Sequence, residues 1–361
     1  MCPAPLVIDK GEVKGGFSLL PAALSGDFQT VAFIYHAASV LALAGGLMIR
    51  KTISIGGHLH EVWGDTDYLG LMGEAFEPDT VDILRAFCDS ANTVIDIGAN
   101  IGLTSLALSG LCEEGQVVAI EPVPVTFRLL EKNLSLLPRS NVLAINKALG
   151  DKDGSVAMYV NESNLATAFV VSEEGCGDLE IPLTTLDSLV ADCSLASVDF
   201  IKIDVEGHEL DVLRGARKTL GKFRPNVLLE MNHWCLNVFR RTSLPEFHET
   251  LLEVFPFVFA VEKGRYLDFT ERDNVGDIFQ QHVFANEYMH IVAGFDGADL
   301  LRRLESLERT PLAEQALPAS ATPSSEIDHR LQLEAVLNST SWKITAPLRK
   351  LASLVGWKRA D

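Results

Sequence analysis

The chain reads as an α/β protein, a mostly parallel seven-stranded sheet with helices on both faces, an N-terminal accessory segment and a C-terminal tail. Three observations predict this. From Phe76 onward, short apolar runs alternate with amphipathic stretches, as expected where helices connect parallel strands. Thr93-Val94-Ile95-Asp96-Ile97 has the composition of a buried strand and runs into Gly98-Ala99-Asn100-Ile101-Gly102, a glycine turn that opens a helix. Glu121-Pro122 follows where a second strand should end.

The elements follow in order. Val31 to Ile49 is apolar apart from His36 and Ser39 and precedes Arg50-Lys51, which formally resembles a membrane span. Gly45-Gly46 breaks that run, so a buried helix near Thr30 to Ala44 is the preferred reading, with accessory hairpin strands between Leu47 and Val62. Main strands are expected at Thr93–Ile97, Gln116–Ile120, Val142–Asn146, Asp199–Ile203, Asn226–Leu229, Phe257–Val261 and His282–Ala285. Phe127, Leu130, Leu134 and Leu137 recur at helical spacing behind Pro124, which suits a first turn. Leu210, Leu213, Ala216 and Leu220 form a second stripe, which Gly221 is expected to end. Gly154 to Thr185 reads as a β insertion over the cleft, with turns at 161–164 and 174–178.

The glycine spacing bears on ligand chemistry. A nicotinamide dinucleotide site would carry Gly-x-Gly-x-x-Gly, and Asp96 at the strand end would repel a pyrophosphate. A cation is welcome there. S-adenosylmethionine carries a sulfonium and an ammonium, and Asp-x-Gly-x-x-x-Gly with a later acid to take the ribose hydroxyls is the pattern its enzymes use. A structural turn that only packs helix on sheet would need no such acid.

A second constellation ends the fourth main strand: Asp204, Glu206, Gly207, His208 and Glu209. Ligands of open α/β sheets bind beyond the carboxyl ends of strands, so Asp204 should face the same crevice as Asp96 and Glu121. A hydroxyl that attacks a methyl group must lose its proton, and a carboxylate or imidazole within reach is the usual agent. Asp204, His208 and Glu230 are the catalytic candidates. For Glu206 and His208 the plain alternatives are a first-turn acid on the helix dipole and a solvated imidazole. Asp204, Glu230, Asn232 and His233 leave Mg²⁺ open without favouring it, because the spacing only loosely matches a metal-assisted site.

These motifs together resemble the FkbM-type methyltransferases: Asp96 to Gly102, Glu121-Pro122-Val123-Pro124 with Leu130-Glu131-Lys132-Asn133-Leu134, Thr185 to Leu189, Ile201 to Glu209, Leu213-Arg214-Gly215-Ala216 and Pro225 to Glu230. The likeness covers roughly Phe76 to Val261. It implies a Rossmann-like class I methyltransferase fold, S-adenosylmethionine as donor, and O-methylation of sugars or polyketide-type hydroxyls. By position, Asp96, Gly98, Asn100 and Gly102 would line the methionine end of the donor, Glu121 would hold the ribose, and Asp204 would sit beside the transferred methyl. Glu77, in Phe76-Glu77-Pro78, is a further candidate for the donor's ammonium.

Composition narrows the partners. With 30 Lys and Arg against 49 Asp and Glu, the net charge of −19 disfavours nucleic acid, which needs clustered cations. No Asn/Asp-Pro-Pro-Tyr/Phe sequence follows the fourth strand either. Six scattered cysteines without a Cys-x-x-Cys pair, and no signal-peptide pattern ahead of them, are the expectation for reduced thiols in a cytoplasm.

The expected domains are an accessory segment over 1–75, a methyltransferase domain over 76–297, a short helix and flexible linker over 298–326, and a basic amphipathic tail over 327–361. The stretch from Asn338 to Arg349 resembles tails of bacterial cell-surface polysaccharide enzymes. Trp342 and Trp357 of the tail, with its basic residues, suit an anionic membrane surface or a partner groove, so docking through 331–361 on the inner face of a membrane or on a glycan-assembly protein is expected; folding back on the acidic body is the alternative. The leading function is therefore O-methylation of a sugar or cell-surface glycan. A small-metabolite O-methyltransferase and a non-catalytic adaptor are the alternatives.

Overall fold

The computed structural model describes residues 48–138, 141–159, 169–170 and 179–308. The expected helix near Thr30 to Ala44, most of the apolar run 31–49, the insertion turns at 161–164 and 174–178, the linker and the tail 331–361 lie outside the described residues.

The strands are β1 (Met48–Ile55), β2 (His58–Asp65), β3 (Thr93–Ile97), β4 (Gln116–Ile120), β5 (Val142–Ile145), β6 (Ala148–Leu149), β7 (Gly154–Tyr159), β8 (Phe169–Val170), β9 (Leu179–Thr184), β10 (Phe200–Ile203), β11 (Asn226–Glu230), β12 (Phe257–Glu262), β13 (Arg265–Asp268) and β14 (His290–Gly294). The helices are α1 (Thr66–Leu71), α2 (Pro78–Phe87), α3 (Leu103–Leu111), α4 (Pro124–Leu134), α5 (Leu186–Asp192), α6 (Glu209–Arg214), α7 (Arg217–Phe223), α8 (His233–Arg240), α9 (Leu244–Val254), α10 (Arg272–Ala285) and α11 (Gly297–Glu308).

The main sheet has eight strands in the order β13-β12-β14-β11-β10-β3-β4-β5. Pairing from β11 through β10, β3 and β4 to β5 is parallel, and β14 enters antiparallel between β11 and β12. This is the mostly parallel, Rossmann-like sheet that the alternation of strands and helices predicts, extended by β13. Neighbouring residues of each strand point to opposite faces, so the fully apolar strands are buried twice over. Val94, Val117, Phe200 and Leu228 pack under Leu84 and Phe87 of α2 and Leu300 and Leu304 of α11. Ile95, Val118, Ile201 and Val227 pack under Leu189 of α5, Leu213 of α6 and Phe247 of α9.

Two expectations are corrected. His282–Ala285 is not a strand but the last turn of α10, and the last strand of the main sheet in chain order is His290–Gly294, antiparallel to both its neighbours. A four-residue apolar run carries no period that separates helix from strand. Gly221 does not end its helix: the stripe from Leu210 to Leu220 is broken at Gly215 into α6 and α7, and Arg224 in the left-handed region terminates the second piece.

The expected accessory hairpin is observed over Met48–Ile55 and His58–Asp65, β1 paired with β2 in register Met48↔Asp65 to Ile55↔His58. Ile53, Ile55, Val62 and Leu69 pack on Val81, Ile101, Leu106 and Leu129, so this arm lies against the turn after β3. Asn133 fastens it: its amide donates to Trp63 O and Ile101 O, and its Oδ1 accepts from Trp63 N. The β insertion is a separate four-stranded sheet, β6-β9-β7-β8.

Candidate active site

Beyond the carboxyl ends of β3, β4 and β10 opens a cleft of about 960 Å³, solvent mouth included. Glu77, Gly98, Asn100, Glu121, Asp204 and His208 line it, together with Tyr68 from α1 and Glu206. Asp96, Gly102 and Glu230 are not in its wall.

The glycine turn is shaped first by its protein neighbours. Gly98 has φ +79, and a Cβ there would lie 1.8 Å from the carbonyl oxygen of Asp204. Strand β10 therefore closes against β3 only because position 98 lacks a side chain. Gly102 has φ +99, and a Cβ would meet Leu130 Cδ1 at 2.7 Å, so this glycine seats α3 on α4 rather than facing a ligand.

Asp96 has no exposed surface. Its Oδ2 accepts from Ser105 Oγ at 2.6 Å, and its Oδ1 lies 3.6 Å from Lys202 Nζ. Burial pushes this carboxyl up, and Lys202 and Ser105 oppose the shift. The register pairs Lys202 with Asp96 across β10 and β3, so the contact is a cross-strand neighbour pair. Lys202 Nζ also lies 3.1 Å from Asp204 Oδ2 and donates to Gly98 O at 3.2 Å. Burial alone would lower the Lys202 ammonium, but Asp204 and Asp96 outweigh it and hold the proton on above the ordinary range.

Glu121 lies at the end of β4. Its Oε2 accepts from Asn100 N at 3.0 Å and its Oε1 from Val123 N at 2.9 Å. Each oxygen keeps a second lone pair. Burial pushes the carboxyl up to about 7 despite these two bonds. Asn100 stands at φ 50, and its Oδ1 is buried without a hydrogen-bond partner among the described residues. Glu77 caps α2 at φ 23 and accepts from Thr80 Oγ1 at 3.0 Å.

The turn after β10 is equally constrained. Glu206 adopts φ 52 and accepts from the Cys235 thiol at 2.9 Å. Burial, then Asp204, raise Glu206 to about 7. Glu209 Oε1 accepts from Gly207 N at 3.0 Å and Val205 N at 3.3 Å, closing the turn onto α6. His208 Nδ1 lies 3.2 Å from Asp211 Oδ2, and Asp211 also pairs with Arg214 and Arg240. Burial, followed by Arg240, lowers His208 to about 3, so the imidazole is neutral. Glu230 stands behind Asp204 at the end of β11. Burial, then Asp204, hold its carboxyl well above the usual range.

Asn232 and His233 are occupied elsewhere: Asn232 Oδ1 caps α8 by accepting from Cys235 N, and the His233 ring meets His282 at 3.1 Å. Among the described residues no group of three or more His, Cys, Asp or Glu is arranged to hold a metal. Nor is any described helix long and apolar enough to cross a membrane.

The sequence reading missed Tyr68 and Lys202. Lys202 had a signal: a lysine in the middle of the apolar strand Phe200–Ile203 needs buried anions. Tyr68 had none, because only the packing of the hairpin brings α1 over the cleft.

A Rossmann-like sheet with this order and an acid-lined cleft at its strand tips defines the class I methyltransferase architecture. Residues 96–259 match the family described as "Methyltransferase FkbM domain". The chain is similar to the hexuronic acid methyltransferase AglP of Haloferax volcanii, 28% identical over 181 residues that cover 50% of this chain and 70% of that protein. It is also similar to methyltransferase 1 of Beauveria bassiana, 27% identical over 192 residues covering 47% of this chain and 74% of that one. A crystal structure of an FkbM methyltransferase from Methylobacillus flagellatus aligns at 20% identity and TM-score 0.34, covering 47% of this chain and 40% of that one. Residues 96–259 are an FkbM-type, S-adenosylmethionine-dependent methyltransferase domain.

The cleft fits that donor. Asn100 Oδ1 is a buried acceptor without a partner, Glu121 keeps free lone pairs for the two ribose hydroxyls, and Glu77 and Asp204 offer negative charge to an ammonium or sulfonium.

Proposed function

We propose that the domain transfers a methyl group to a hydroxyl of a sugar or cell-surface glycan, with Asp204 as the proton acceptor. The position of Asp204 carries this reading. It stands at the tip of β10 with 40% of its side chain exposed, in the wall of the cleft, and Lys202 Nζ fixes it from behind at 3.1 Å. When bound, S-adenosylmethionine supplies an electrophilic methyl on a cationic sulfur. Glu121 and Asn100 would hold its ribose and orient it, and Glu77 would attract its ammonium. The protein's chief task is alignment for an in-line displacement, and acid-base help is secondary.

Asp204 is held by the ammonium of Lys202, which leaves the exposed part of its carboxylate for an incoming hydroxyl. His208 lies on the same wall, and burial and Arg240 keep its imidazole neutral, so Asp204 and not His208 takes the proton in this reading. Asp96 has no access to the cleft and serves as counter-ion to Lys202. A sugar acceptor is supported by the name of the Haloferax relative, whose acceptor is a hexuronic acid, and by an acidic chain ill-suited to nucleic acid.

The test is methyl transfer from labelled S-adenosylmethionine to a panel of neutral sugars, uronic acids and small polyketide-type alcohols. Sugar methylation is expected, and Asp204→Asn should lower kcat by about 10²-fold or more. Activity on the alcohols alone would overturn the acceptor assignment, and an unchanged kcat would remove Asp204 from the chemistry.

A further inference from the structure

Helix α1 lies outside residues 96–259, yet it delivers a side chain to the cleft. Tyr68 is held in place from three directions. Its backbone N–H donates to Asp65 Oδ1 at 2.7 Å, and its neighbour Leu69 is fully buried in the hairpin core. Lys51 Nζ donates to Leu69 O at 2.8 Å and Met72 O at 2.5 Å, closing the carbonyl end of the helix.

The phenol stands in the cleft wall within electrostatic reach of Glu77, Asp204 and Lys202. Burial, then Glu77 and Asp204, push its hydroxyl far above the ordinary phenol range, so it remains a neutral donor at every working pH. Among the described residues Tyr68 Oη donates to no acceptor. The neighbouring cation is already committed, because Lys202 Nζ is shared between Asp96, Asp204 and Gly98 O.

The donor's own chemistry says what this hydroxyl meets. In the methionyl moiety the ammonium and the carboxylate stand on one carbon. Glu77 and Asp204 attract the ammonium, so the carboxylate must lie beside two acids that repel it. It needs a hydrogen-bond donor there, and Tyr68 is a fixed, un-ionised one without another partner.

We propose that Tyr68 is a cofactor-binding residue whose hydroxyl hydrogen-bonds the methionyl carboxylate of S-adenosylmethionine, so that the N-terminal hairpin arm completes a site otherwise built by the FkbM domain. The proposal rests on the assignment of the cleft to that donor. It makes the arm part of the enzyme rather than an appendage.

Isothermal titration of the full chain and its Tyr68→Phe variant with S-adenosylmethionine and with decarboxylated S-adenosylmethionine tests this. Phenylalanine keeps the ring and removes only the donor. A hydrogen bond to a charged group corresponds to roughly a tenfold loss of affinity or more. That loss is expected for S-adenosylmethionine alone, with the affinity for the decarboxylated ligand unchanged. An equal loss for both ligands, or none for either, overturns the proposal. A wild-type protein that binds neither ligand removes the cofactor assignment itself, which separates the two failures. Should the variant not fold, ring-labelled tyrosine in the wild-type protein gives the same answer. The Tyr68 resonance must shift differently with the two ligands, and identical shifts overturn the proposal.

Discussion

Replacing Glu209 by Gln should stabilise the ligand-free protein at high pH and change little at low pH. Glu209 is 1% exposed, its Oε1 accepts from two backbone N–H groups, and its Oε2 is buried without a partner. Burial raises its pKa from 4.5 to about 7. Between those values the folded chain holds a proton that the unfolded chain releases. The group's contribution is therefore fully present below pH 4.5 and lost as pH rises through 7. The shift corresponds to about 3 kcal/mol, of which about 2 kcal/mol falls between pH 5 and 8. Gln keeps an oxygen for Val205 N and Gly207 N and cannot ionise. Urea unfolding of both proteins across that pH range isolates the term, because other titrating groups cancel in the difference. The opposing contribution of His208, lowered to about 3, is one that cancels. A stability difference that does not change with pH would refute the burial argument.

Gly98→Ala should be among the most damaging single changes, costing more than about 4 kcal/mol, because it combines a left-handed backbone with a Cβ 1.8 Å from the Asp204 carbonyl oxygen. Gly70→Ala is the control: no heavy atom lies within 4 Å of the added Cβ, and helix propensity favours the change. Thermal denaturation of the two variants checks this, and a melting temperature for Gly98→Ala within a few degrees of wild type contradicts it. Donor affinity should rise from pH 6 to 8, because Glu121 and Glu206, both raised to about 7, ionise more readily beside a bound cation and release protons as it binds. Titration in buffers of different ionisation enthalpy measures that release, and its absence would show that these acids do not face the donor.

Much of the sheet was legible because its strands are short, apolar and bounded by turn chemistry. Thr93–Ile97 and Gln116–Ile120 are observed residue for residue. The strand misplaced at His282 failed for a local reason, since His-Val-Phe-Ala has no period and, as the last turn of α10, leaves Val283 and Phe284 exposed. Residue types at the site were legible too, but their exposure was not. Asp96 and Asp204 both read as acids at strand tips facing one crevice. The register of β10 on β3 instead buries Asp96 against Lys202 and leaves Asp204 at the mouth. That distinction depends on pairing residues more than a hundred positions apart, to which local periodicity is blind. Tyr68 was illegible for the same reason: its place in the cleft wall is fixed by how β1 and β2 lie on α3 and α4, not by its neighbours in the chain.

The Asp-x-Gly turn and the Lys-x-Asp strand end are best understood as one device. Register sets Lys202 opposite Asp96, and the two-residue period of a strand puts Asp204 on the same side as Lys202. One buried ammonium then serves an acid below it and an acid above it, while Gly98 leaves its carbonyl open to the same ammonium. Removing the lysine charge would leave Asp96 uncompensated in the core, whereas removing Asp96 would leave Lys202 with Asp204 as its remaining carboxylate partner. The lower acid therefore frees the upper one for the cleft: neutralisation of Lys202 is shared, so Asp204 is held in place without being fully spent on its anchor. A chain this acidic can keep a carboxylate at the mouth of a cleft of acids because its charge balance is built one layer down, in the sheet itself.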